Sequence, residues 1–319
     1  MRVFLRRTLK TLGVILGVFV LAIGGTTVWH QVVTANEAKH LPEYGQFVEV
    51  DGKRMNTVVA GAGAETIVLI PGFGTAAPAL DFDPLITELA AHARVIAIEP
   101  LGFGLSDPTD VPRTAENIVA EMHDAVSQLG VEEYALMGHS IGGIYGLKWA
   151  ELFGEELTAF IGIDSSVPGQ ANMDTQFPTE LMAVARFTGV ARIAAALGDA
   201  LDGTVYSDEI RQQMTMLANR NSLSPTYLDE MEHIAPNFRN AIGTVFPKEL
   251  PLLLFAQAGE NPGQPDWIPL HEEQAASVND GTLVLIPGEH YLHHTHSTEI
   301  AERTLQFLDE HPHRSDASL

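Results

Sequence analysis

A doubly wound α/β fold is predicted for this 319-residue chain, with a mostly parallel sheet, a helical cap insertion and an N-terminal transmembrane or signal helix. Three observations predict it. Short apolar runs without polar alternation recur between Thr66 and Gly288, and helical patterns separate most of them. Strands of that kind are buried on both faces, as in a parallel sheet covered by helices. The alternation stops between Val167 and Lys248, where helical segments occur and no clear strand does. The first forty residues differ from all the rest in composition.

Taken in order, Arg2, Arg6, Arg7 and Lys10 precede an uncharged apolar run from Thr11 to Val28. Eighteen residues of this kind lie near the lower limit for a membrane-spanning helix. The cationic flank belongs in the cytoplasm, which leaves the bulk of the protein on the other side of the membrane. Val33-Thr34-Ala35 has the small residues a signal peptidase needs, so secretion after cleavage is the alternative. The distance from the apolar run to Ala35 favours an uncleaved anchor. A polar linker is expected over Gln31–Leu41.

"GQFVEVDGKRMNTVVAGAG" reads as a hairpin, with strands near Gln46–Val50 and Arg54–Val59 and a turn at Asp51-Gly52. The buried runs follow at Thr66–Gly72, Ala93–Pro100, Tyr134–Ser140, Thr158–Ser166, Leu250–Gly259 and Gly281–Gly288. Helical patterns cover Asp83–Ala91, Arg113–Gln128, Ile141–Phe153 and Thr298–Leu308. Within the insertion, Ser224-Pro225 opens a helix as cap and first-turn residue. The apolar stretch Phe187–Leu197 reads as core packing. The domain expectation is therefore 1–40 anchor or signal and linker, 41–166 with 249–311 core, 167–248 cap, and 312–319 a disordered tail.

Composition removes several function classes. There is no cysteine, hence no disulfide, thiolate metal site or Cys nucleophile. Residues 1–40 hold five basic groups and one acidic, so residues 41–319 carry 13 basic against 40 acidic, near −27. Such a surface repels nucleic acid and anionic headgroups. No Gly-Lys-Ser/Thr phosphate loop is present, and Gly102 with Gly104 lacks the third glycine of a dinucleotide fingerprint. No cofactor and no metal are expected. The tract "PGEHYLHHTHS" crowds four histidines together, but it matches no metal-ligand spacing and no carboxylate pattern accompanies it.

The chemistry centres on "LMGHSIGG". Ser140 follows a buried strand and precedes a helix, with Gly138 and Gly142 where side chains would collide with neighbouring backbone. The amide of Ile141, at the helix N-terminus, faces developing negative charge. The glycine-rich turn "LIPGFGT" offers the Phe73 amide as second donor. His290, in the loop leaving the last strand, is the candidate base, and His293 a packing residue near it. Two carboxylates compete to orient that base: Asp164 ends the strand "FIGIDSS", and Glu260 follows "PLLLFAQAGE". Asp266 is a weaker third.

Together, "VEVDGKRM", "VLIPGFG", "VIAIEPLGFGLSD", "LMGHSIGG" and "GEHYLHH", in that order, resemble the α/β-hydrolase fold superfamily over about Gly45 to Leu308. The resemblance implies Ser140 as nucleophile, His290 as base, the Phe73 and Ile141 amides as oxyanion hole, and 167–248 as cap. The family's usual acid position falls on Glu260, with Gln257 where a glycine is expected. Members that take the acid from the preceding strand correspond to Asp164, which is placed ahead of Glu260. A serine at the elbow disfavours the epoxide hydrolases and haloalkane dehalogenases, which use Asp there. The expected activity is hydrolysis of an ester bond in a small or lipid-like substrate. An aminopeptidase or amidase, and a non-catalytic binding protein, are the alternatives.

Overall fold

The computed structural model describes residues 2–198, 205–259 and 261–312. Its contacts divide into two units: Met1–Pro42 with Pro178–Asp202, and Glu43–Phe177 with Gly203–Leu319. Among the described residues the helices are α1 (Arg2–Glu37), α2 (Pro78–Asp81), α3 (Asp83–Leu89), α4 (Ala115–Gln128), α5 (Gly142–Phe153), α6 (Thr179–Phe187) and α7 (Val190–Leu197). They continue with α8 (Asp208–Asn221), α9 (Pro225–Ala241), α10 (Trp267–Ala276), α11 (Leu292–Thr295) and α12 (Ser297–Glu310).

The second unit holds the sheet. Its strands are β1 (Gln46–Val50), β2 (Lys53–Ala60), β3 (Thr66–Ile70), β4 (Arg94–Glu99), β5 (Tyr134–His139), β6 (Leu157–Ile163), β7 (Leu252–Gln257) and β8 (Gly281–Ile286). Their spatial order is β1-β2-β4-β3-β5-β6-β7-β8. β2 runs antiparallel to β1 and β4, and every other pairing is parallel. Asp51 and Gly52 close the β1–β2 hairpin with φ of 49° and 73°, as a tight turn between twisted strands requires. β3 and β5 are buried along their whole length, which explains their unbroken apolar sequence. β8 departs from this expectation: it is an edge strand, and Leu285 on it is exposed.

This strand order positions the site. From β3 the chain crosses to β4 on one side, then returns to β5 on the other. The order reverses between β3 and β5, and crevices form outside the carboxyl ends of strands at such a reversal. Phe73 leaves β3 there, and Ser140 leaves β5.

Between β6 and β7 the described residues form four helices, α6 to α9, and no strand. Ser224 Oγ accepts the Tyr227 amide at 3.2 Å, and Pro225 opens α9. α8 and α9 are tied to the loops around the sheet: Asn221 donates to the carbonyls of Ala76 and Gly104, each at 2.9 Å, and Asp229 accepts the Arg113 amide at 2.6 Å. The tail beyond 312 and Glu260 lie outside the described residues.

The first unit contains α1, α6 and α7. α1 runs to Glu37, through the stretch expected to be a polar linker, because no proline or glycine interrupts Gln31–Glu37. Its segment Phe4–Glu37 is long and apolar enough to cross a membrane, with a mean hydropathy of 2.1 in its most apolar window. The apolar stretch Phe187–Leu197, read from sequence as core packing, is not buried: Phe187 is 64% and Leu197 85% exposed. Gly189, with φ of 77°, breaks the stretch into the end of α6 and the whole of α7.

Candidate active site

Ser140 sits on the turn from β5 into α5 with φ of 52°, a left-handed conformation that costs a non-glycine residue about 1–3 kcal/mol. The surroundings hold it there. Its amide donates to the Ile163 carbonyl at 3.3 Å, and its carbonyl accepts the Ser166 amide at 2.6 Å. The glycines are sterically required: a Cβ on Gly138 would stand 2.9 Å from the Gly142 carbonyl oxygen, and one on Gly143 only 2.1 Å from that of Ser166. The sharp turn thus depends on β6 and the residues that follow it, not on the pentapeptide alone.

Three side chains from distant segments form one hydrogen-bonded line. Ser140 Oγ lies 2.9 Å from His290 Nε2, and His290 Nδ1 lies 2.7 Å from Asp164 Oδ2. The Asp164 carboxylate is 1% exposed, and it accepts two further hydrogen bonds at its other oxygen. The Gln257 amide and the Trp267 indole N–H each donate to Oδ1 at 2.8 Å. With three donors converging on it, this carboxylate has a single orientation, with Oδ2 toward the imidazole. Asp266, the third carboxylate considered, stands at the start of α10, immediately before Trp267.

Phe73 and Ile141 come to the same place from β3 and from the start of α5. Among the described residues neither backbone amide has an acceptor, so both are open to a bound oxygen. Beside Ser140 opens a cavity of about 360 Å³ lined mostly by apolar surface, from Phe73, Met173, Phe177, Ile234 and Phe238, with polar side chains such as Gln170 and Asn172 among them and with His290 and Asp164 in its wall. Its walls suit an apolar group.

Sequence reasoning missed several supports. Trp267 had no signal, because its indole meets Asp164 across 103 positions. His139, between Gly138 and Ser140, is fully buried and lies 3.1 Å through Nε2 from the His290 carbonyl. Burial above all depresses its basicity, reinforced by repulsion from His293 and His290, so it stays neutral beside the base.

Two more histidines of the same tract, His293 and His294, find a partner in α2. His293 Nε2 and His294 Nε2 meet the two oxygens of Asp81 at 2.8 and 2.9 Å. One ligand atom from each residue lies within 4.8 Å of the others, a metal-ligand set by residue type, and the Nε2 of each imidazole is taken up by an Asp81 oxygen. Burial works against the Asp81 carboxylate, yet attraction and hydrogen bonds from His293 and His294 outweigh it and hold its pKa below the ordinary 3.8. A carboxylate depressed in this way stabilises the fold above its unfolded pKa, and the contribution is lost as pH falls below about 3.8. Asp81→Asn is expected to destabilise the protein by about 3 kcal/mol at pH 7 and to flatten the loss of stability below pH 4. Urea unfolding of both proteins across pH 3–7 measures this, and equal midpoints at pH 7 would refute it.

The comparisons with known proteins agree with this architecture. The chain is 24% identical over 318 residues to the uncharacterized protein YbdG of Bacillus subtilis, covering 95% of this chain and 97% of that one. It is 25% identical over 211 residues to a 2-hydroxy-6-oxo-6-(2'-aminophenyl)hexa-2,4-dienoic acid hydrolase of Metapseudomonas resinovorans, covering 62% of this chain and 70% of the relative. The crystal structure of an enol-lactonase from Burkholderia xenovorans superposes with a TM-score of 0.62 at 17% identity, over 83% of this chain and all of the other. Residues 67–303 match the model of the alpha/beta hydrolase family, and the chain belongs to that family.

Proposed function

We propose that the protein is a serine hydrolase that cleaves an ester bond next to an apolar acyl group. The observation that carries this reading is the continuous line from Ser140 Oγ through His290 to Asp164, opening on an apolar cavity. Ser140 Oγ attacks the carbonyl carbon as His290 Nε2 takes its proton. The oxygen that becomes negative is received by the Phe73 and Ile141 amides, assisted by the positive end of α5. The protonated His290, stabilised by Asp164, returns its proton to the departing alcohol. Water then repeats the sequence on the acyl-enzyme and frees the acid. Asp164 is the acid of the triad in this reading, ahead of Glu260.

We read α1 as an uncleaved anchor, with the hydrolase outside the cytoplasm. Arg192 of α7 forms a two-pronged pair with Glu37, at 2.7 Å on both oxygens, and bonds Thr34 and His30 at 2.9 and 3.1 Å. Cleavage after Ala35 would remove two of these three partners, which supports retention over secretion.

The test is a fluorophosphonate probe followed by peptide mass analysis, with p-nitrophenyl esters, the matching anilides and a 2-hydroxy-6-oxo-dienoic acid as substrates. An adduct on Ser140 with esters turned over fastest is the expected result. No adduct and no turnover would favour a binding protein. Faster cleavage of the anilide or the dienoic acid would move the reaction class.

A further inference from the structure

We propose that the α6–α7 hairpin is a membrane-interfacial foot, whose turn at Phe187–Val190 sits in the outer headgroup–acyl boundary beside the end of α1. The proposal rests on the anchor reading of α1. It begins with depth. The apolar run Thr11–Val28 is 18 residues, about 27 Å of helix, which matches the hydrocarbon core of a bilayer. Its outer end therefore falls close to Val28.

The hairpin meets α1 at that level. Gly189, in the α6–α7 turn, is so close that an added Cβ would stand 2.7 Å from His30 Cβ and 3.1 Å from the Thr26 carbonyl oxygen. The turn backbone thus lies flush on α1, at the residues where the apolar run ends. On the side of His30 away from the run, the Arg192 guanidinium is anchored to Glu37, Thr34 and His30 at distances of 2.7–3.1 Å. It is 9% exposed, although a buried cation is costly unless fully paired. This arrangement fixes the height of the turn on α1.

At that height the hairpin presents apolar side chains that are exposed among the described residues. Val184, Phe187 and Val190 are 56%, 64% and 42% exposed. On α1 itself, Phe19, Val20 and Leu21 are also exposed. Exposed apolar side chains on α1, and on a turn that packs against it at Thr26 and His30, fit a bilayer. The protein's strong negative charge makes a zwitterionic surface the suitable one, held by apolar burial and not by attraction.

The chain contains no cysteine, so single labels can be placed cleanly. Full-length protein carrying Phe187→Cys, Val20→Cys or Leu285→Cys is labelled with an environment-sensitive fluorophore and reconstituted in phosphatidylcholine vesicles. Quenching by lipids with nitroxides at different depths then locates each label. The expected result places the label at 187 about 5–10 Å into the headgroup–acyl boundary, that at 20 near the midplane and that at 285 in water. A label at 20 quenched from the midplane with one at 187 left unquenched would overturn the foot and spare the anchor. No quenching at 20 would overturn both. A blue-shifted label at 187 that lipid nitroxides do not reach would mean that protein covers the turn, and would also overturn the proposal.

Discussion

Ser140→Ala is expected to lower turnover of a short p-nitrophenyl ester by about 10⁵–10⁶-fold, equivalent to about 7–8 kcal/mol of transition-state stabilisation. The loss is large because the serine supplies the bond-forming oxygen, and among the described residues no other hydroxyl bonds His290 Nε2. The fold should tolerate the change. Alanine keeps the Cβ that the turn already accommodates at φ of 52°, and the backbone bonds to Ile163 and Ser166 do not involve the side chain. The expected cost is one partly exposed hydrogen bond, about 1 kcal/mol. Steady-state hydrolysis, urea unfolding and fluorophosphonate labelling are measured together. A folded variant retaining more than a tenth of the parental rate would remove Ser140 from the reaction.

Asp164→Asn is expected to lower kcat by about 10⁴-fold, while Glu260→Gln leaves it within about twofold. The geometry decides how the asparagine would sit. Oδ1 accepts N–H groups from Gln257 and Trp267, so the amide oxygen must remain there to satisfy them. The amide nitrogen is then forced toward His290 Nδ1, whose N–H donates a hydrogen bond to Oδ2 of Asp164 in the parent. Facing a donor, Nδ1 must become the acceptor, and the ring proton moves to Nε2. The base would present a proton to Ser140 instead of a lone pair. Because the variant stays isosteric, its KM should change much less than kcat. Full activity in Asp164→Asn, with collapse in Glu260→Gln, would transfer the role of the acid.

Legibility followed the range of the interactions. The strands from Thr66 to Gln257 could be read because their apolar runs report burial on both faces residue by residue. The Asp51-Gly52 turn and the Ser224-Pro225 helix start were equally local. β8 looked buried in sequence and is an edge, since strand order is not written in a single strand. Phe187–Leu197 looked like core for the same reason: its composition is apolar, but burial depends on what packs over it.

The candidate site divides in the same way. Ser140 with its glycines and His290 after the last strand were visible, because a strained turn and a loop at a strand end leave local marks. The pairing of Asp164 with His290 depends on β6 and the loop after β8 converging from 126 positions apart, and the bonds from Gln257 and Trp267 on the end of β7 and the start of α10 meeting β6. The Asp81 pairing with His293 and His294 spans more than 200 positions. By itself the sequence determined the α/β architecture, the strained serine and the histidine, because periodicity and turn chemistry act between near neighbours. Only the tertiary structure decided which carboxylate meets that histidine and which apolar helices stay uncovered, because both depend on contacts between segments far apart along the chain.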